Sequence, residues 1–168
     1  MGSMDALADR LEKAAEAMVE LGPRLAAGEP WALAGVVGPG PESSWGPREV
    51  LAHCAEMLPF WLGEIELILD AGGDTEPAAF GRLENDPARV MIITRDRQFP
   101  ARELLSRVES EARRVARRFR AFNDDDAAQL GRHVTRGDLS VHDIAERLMV
   151  GHLEGHVNQL RESVAASG

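Results

Sequence analysis

The 168-residue sequence has no tyrosine, one cysteine and only 5% aromatic residues, and Lys13 is its one lysine. Each scarcity excludes something. A single cysteine, Cys54, cannot close an internal disulfide, so the fold must stand on its core, and a chain of this length can bury one. Strand-rich folds draw on aromatic side chains, so their shortage tilts the chain toward helices. No stretch approaches the roughly 18 uninterrupted apolar residues of a membrane span. No secretory leader is visible, which makes the cytoplasm the expected compartment. Basic residues number 19 against 28 acidic, a net charge of -9, which argues against a general affinity for nucleic-acid backbone. The near-exclusive use of arginine, with abundant alanine and glycine, fits a GC-rich bacterial gene and carries no chemistry. Met1, Gly2 and Ser3 read as an expression remnant ahead of Met4, leaving residues 4–165 as one domain.

What is present is helical periodicity. Leu7, Leu11, Ala14, Met18, Leu21 and Leu25 recur at three- and four-residue steps and predict a helix over 4–27, its last turns bent or interrupted by Pro23. Residues 28–46 are rich in glycine and proline and predict a long loop, with at most one turn near Trp31 to Ala34. Pro47 suits a first helical position. Val50, His53, Cys54, Met57, Trp61, Ile65, Ile68 and Leu69 then form the stripe of a second helix over 47–71, with Pro59 inside it. Residues 72–99 form a long connector whose middle, 86–95, suits a short helix or an extended apolar clasp. A third helix, 100–123, carries Leu104, Leu105, Val108, Ala112, Val115, Phe119 and Phe122 on its core face. Its arginines (Arg113, Arg114, Arg117, Arg118, Arg120) suit a solvated charged face paired with Glu109 and Glu111. A fourth helix, 139–165, completes an all-α, single four-helix bundle.

Chemistry concentrates in the histidines. His152 and His156 stand four apart, one helical turn, so both imidazoles share a face and could chelate one metal ion. Gly151 and Gly155 flank them and suggest that something approaches the helix backbone closely there. His53 lies on the apolar stripe of the second helix. His133 and His142 are expected at the surface. His53 is six residues into its helix and His156 eight from the end of the last, so their levels match if those two helices run antiparallel. The 72–99 connector allows the required up-down-down-up order.

The stretches WGPREVLAHCAEM (45–57), RDRQFPARELLSRVESEARRVARRF (95–119) and GDLSVHDIAERLMVGHLEGHVNQLRE (137–162) resemble, in order and separation, the DinB-like (DinB/YfiT) superfamily of metal-dependent bacterial proteins. The resemblance implies a four-helix bundle with one divalent metal, zinc or nickel, held by three histidines, here His53, His152 and His156. Relatives of this architecture transfer low-molecular-weight thiols or isomerise a thiol adduct of maleylpyruvate. The isomerase type has a carboxylate among its ligands where this chain has a histidine, which weighs against that activity.

Three neutral imidazoles leave coordination positions free, the arrangement of a catalytic site. Together with what the resemblance implies, the expected function is transfer of a low-molecular-weight thiol, or water, to a small electrophilic substrate. The alternative is a non-catalytic bundle that binds metal or a small ligand, which a closed four-ligand site would favour. Glu56 is a candidate proton acceptor, with a surface ion pair as the competing role. Gln159 could orient a ligand or substrate, and Asn158 could serve likewise. Trp31 and Trp45 either wall a substrate pocket or cap the core. Cys54 reads as a small apolar core residue. The expected partner is a small molecule, with neither nucleic acid nor membrane, and a homodimer is left open.

Overall fold

The structure is a computed structural model that describes residues 3–38, 40–73 and 76–168. Its framework is helical. In chain order come α1 (Met4–Glu20), α2 (Gly22–Ala27), a 3₁₀ turn (Glu42–Ser44), α3 (Pro47–Ala71), β1 (Ala78–Phe80), α4 (Pro87–Asp96), α5 (Ala101–Ala121), α6 (Asp124–Ala128), β2 (Leu130–His133) and β3 (Gly137–Ser140). The last helix opens as α7 (Val141–Asp143), widens into a π segment (Ile144–Val150) and continues as α8 (Gly151–Ala166).

Local chemistry sets the boundaries. Asp86 caps α4 by accepting the Arg89 N–H, with Pro87 behind it at the first helical position. Ser140 and Asp143 form a reciprocal capping box at the head of α7. Gly46 donates to Glu49 Oε1 at 3.2 Å at the head of α3. Glu49 is wholly buried and also accepts from the Ala34 N–H, so it ties the 28–46 loop to α3.

α1 and α3 both pack on α5, whose buried stripe runs from Leu104 through Val108 and Val115 to Phe119. α8 packs on α1 and α3. The ends that meet are marked by polar contacts. Asp9 and Glu12 of α1 reach Arg120 at the far end of α5, and Arg118 pairs with Glu66 near the far end of α3. Arg48, early in α3, binds Gln98 just before α5. Arg10 of α1 and Arg24 of α2 meet Glu154 and the Val164 carbonyl of α8 in that order.

Several expectations need correction. A small sheet, ordered β1-β2-β3, supplements the helices, with β1 parallel and β2 antiparallel to its neighbour. Its three strands have three or four residues each, too short to show alternation. The sheet lies against α3, and Gly131 makes the contact possible: a Cβ there would stand 2.4 Å from Ile68 Cδ1 and 2.7 Å from Phe80 Cδ1. Other expectations hold: the first helix is interrupted, at Leu21, close to the Pro23 expected to bend or interrupt it, and the middle of the connector folds as α4, the short helix of the two expected alternatives. The turn in the 28–46 loop falls at Glu42–Ser44, not near Trp31. His133 and His142 are buried, not on the surface. A Cβ on Gly155 would meet nothing within 4 Å, so no close approach explains that glycine. Ser3, set aside as a remnant, is the N-cap of α1, its Oγ accepting the Ala6 N–H, while Met1 and Gly2 lie outside the described residues.

Candidate metal centre

His53 sits two turns into α3, and His152 and His156 stand a turn apart on α8. Their rings converge, with centroids 5.0 Å apart for His53 and His152, 5.3 Å for His53 and His156, and 4.7 Å for His152 and His156. The π segment lies directly ahead of this pair. It closes on an i→i+5 bond from the Gly151 N–H to the Glu146 carbonyl, and its wider turn resets the phase of every residue after it.

A fourth donor joins them that the sequence reading did not include. Glu42, on the 3₁₀ turn, places Oε2 at 2.8 Å from His152 Nε2 and 3.1 Å from His156 Nε2, and Oε1 at 3.3 Å from His53 Nε2. Donor atoms of the four residues all lie within 4.8 Å of one another. Arg89 of α4 fixes Glu42 from behind: one terminal nitrogen donates to Glu42 Oε1 at 2.7 Å and the other to the Glu84 carbonyl at 2.6 Å. Neither residue could be found from periodicity, since Glu42 lies in a loop and Arg89 in what read as a connector.

Hydrogen bonds on the far side of the rings decide what faces the centre. Gln159 spends its amide N–H on the Glu42 and Trp45 carbonyls, so its Oε1 is the acceptor for His156 Nδ1–H at 2.9 Å. His53 Nδ1–H donates to Glu56 Oε1 at 2.9 Å. Both carboxylate oxygens of Glu56 also accept from Arg82 at 2.7 Å. With Nδ1 protonated, Nε2 of neutral His53 presents a lone pair to the Glu42 carboxylate, and His156 turns its Nε2 to the same group. His156 Nε2 is buried and makes no hydrogen bond among the described residues. Acceptor set against acceptor, with ring orientation enforced from the second layer, is the arrangement a cation resolves. Three imidazoles and a carboxylate are donors that suit zinc.

The electrostatics agree. Burial pushes the His53 imidazole down to about 4, against the pull of Glu56 and Glu42, so the ring is neutral near pH 7. Burial by itself would raise the Glu42 carboxyl, but its polar contacts with the surrounding histidines, His152 first, hold it well below the usual carboxylate range. Burial likewise opposes ionisation of Glu56, and His53 and Arg82 outweigh it. Cys54 is fully buried, and burial pushes its thiol up and leaves it unreactive.

Part of the cluster borders a cleft of about 990 Å³. Glu42, His53 and His152 reach that cleft, as do Trp61, Arg82, His133 and Arg136. Trp45 packs edge-on against His53 at 5.4 Å. Trp31 lies elsewhere: its indole N–H donates to the Leu25 carbonyl, and it lines a separate pocket of about 190 Å³ with Arg48 and Phe99. Asn158 pairs with Arg161 and takes no part in the cluster.

Fold and site together define a helical domain built around a cluster of histidines and one glutamate able to hold a metal ion. Residues 34–153 match the family model described as the mycothiol maleylpyruvate isomerase N-terminal domain. The chain belongs to this family, a member of the DinB-like superfamily. The matched span takes in Glu42, His53 and His152 and stops short of His156. No curated protein matches the chain. Described helices include none long and apolar enough to cross a membrane.

Proposed function

We propose that the chain is a metal-dependent enzyme that transfers a low-molecular-weight thiol, or water, to a small electrophilic substrate held in the cleft above Glu42, His53, His152 and His156. One observation carries this reading: three imidazoles, two of them oriented from behind by Glu56 and Gln159, converge with a carboxylate beside an open cleft. The family's name, which includes a thiol and an isomerase, supports it. Three histidines without a carboxylate would weigh against isomerase chemistry, yet Glu42 brings a carboxylate into the cluster.

A divalent ion, zinc or nickel, would be held by the three histidines with Glu42, and when bound it would lower the pKa of a thiol or water. The chain's own residues do the rest. Glu56, clamped by Arg82, keeps the proton of His53 on Nδ1, and Gln159 does the same for His156. Both carboxylate oxygens of Glu56 are already engaged, so it acts as an orienting group and not as a free base. Trp45 covers the buried side of His53 and excludes water there. We read the long helices as one up-down-down-up bundle, on the pattern of which helix ends meet.

Glu42 also supports a second reading, a non-catalytic site, because a fourth protein donor can complete a coordination shell. The test is the metal content of the purified chain, followed by thiol addition to cobalt-substituted protein. Metal at one equivalent, lost in His156→Ala, together with a thiol-dependent absorption change supports the enzyme. One equivalent with no response to thiols favours the non-catalytic site, and no metal refutes both.

A further inference from the structure

His133 lies outside the metal cluster, and its surroundings fix its proton. It ends β2, pairing with Phe80 on one side and Gly137 on the other. The chain turns back over the ring, so the Thr135 N–H points at Nδ1 from 3.1 Å and the Arg136 N–H from 3.3 Å. Backbone N–H groups have no alternative tautomer. Nδ1 must therefore be the acceptor, and a neutral ring must carry its proton on Nε2.

The ring is held as tightly as its proton. Phe80 packs across it at 5.3 Å and Trp61 at 6.2 Å, and the residue is 5% exposed. The Cδ2–Nε2 edge occupies the space a side chain at position 81 would take: a Cβ on Gly81 would lie 2.3 Å from Cδ2 and 2.6 Å from Nε2. Gly81 also has φ +93°, which favours glycine. Burial and the charge of Arg136 hold the imidazole below its ordinary value. The ring's hydrogen bonds among the described residues all fall on Nδ1, and His133 lines the same cleft as Arg82, Arg136 and Arg147. A fixed neutral donor beside guanidinium groups suits an anionic oxygen.

We propose that His133 is a substrate-contacting residue whose fixed Nε2–H donates to a carboxylate oxygen of the molecule bound in the cleft. This rests on the reading of the cleft as the substrate site. Its test is separate from the metal. Two-bond proton–nitrogen spectra of the full chain should show His133 as the Nε2–H tautomer, unchanged in the His152→Ala/His156→Ala double variant. Succinate, titrated as a probe, should shift the His133 Nε2 signal. His133→Phe, which keeps the aromatic packing, should weaken succinate on the order of tenfold, the worth of one hydrogen bond to a charged group. His133→Gln, which can restore a donor near Nε2, should recover most of that loss. An Nδ1–H tautomer, no succinate binding to the wild-type chain, or unaltered binding to a folded His133→Phe would each overturn the proposal. A chain that binds no metal but shows the expected tautomer and succinate response would refute both metal-site readings and leave the role of His133 standing.

Discussion

Glu56→Gln isolates the layer of residues behind the histidines. Glu56 is 8% exposed and serves two donors at once, His53 Nδ1–H and Arg82. A glutamine has one carbonyl oxygen for both. If it faces His53, its amide N–H₂ opposes the guanidinium; if it faces Arg82, the amide donates toward Nδ1 and turns the His53 tautomer over. Either way the preference for a lone pair at His53 Nε2 is weakened. Loss of such a partner lowers metal affinity by roughly 10–100-fold, or about 1.4–2.8 kcal/mol. The measurement is zinc affinity at pH 7 by competition with a chromophoric chelator, with circular dichroism to establish that the variant folds. Arg82→Met leaves both oxygens of Glu56 in place and should cost less than Glu56→Gln. A folded Glu56→Gln protein with wild-type zinc affinity would refute the reasoning that second-layer hydrogen bonds prepare the site.

Gly131→Ala should destabilise the chain by about 1–3 kcal/mol in denaturant titration, because its Cβ would overlap Ile68 and Phe80 where the sheet meets α3. Gly155→Ala should stabilise it by about 0.5–1 kcal/mol, since that helical position is exposed and has open space. The His133 ring titrates below its ordinary value of about 6.5. Between the two values the unfolded chain binds a proton that the folded chain refuses, so stability rises with pH there. The contribution is complete above about pH 6.5 and fades as pH falls toward the folded value. In metal-free protein, melting curves from pH 7 downward should therefore fall less steeply for His133→Phe than for the wild type.

Sequence alone determined what is local or periodic. The stripes of α1, α3 and α5 and the punctuation at Pro47, Gly72 and Pro100 set most helix boundaries, because amphipathic spacing and capping act within a few residues. The spacing of His152 and His156 follows from one helical turn. Tertiary structure alone decided what depends on segments distant in the chain. The strands carry too few residues for a period and exist through their pairing and their packing on Ile68. His133 reads as a loop residue until Phe80, Trp61 and Gly81 close around it. Glu42 lies in a glycine- and proline-rich loop without periodicity. It becomes the fourth donor because Arg89, 47 residues later, grips its carboxylate and holds it against three imidazoles. A carboxylate's partners are set by where the folded chain places charge, and no sequence spacing encodes that.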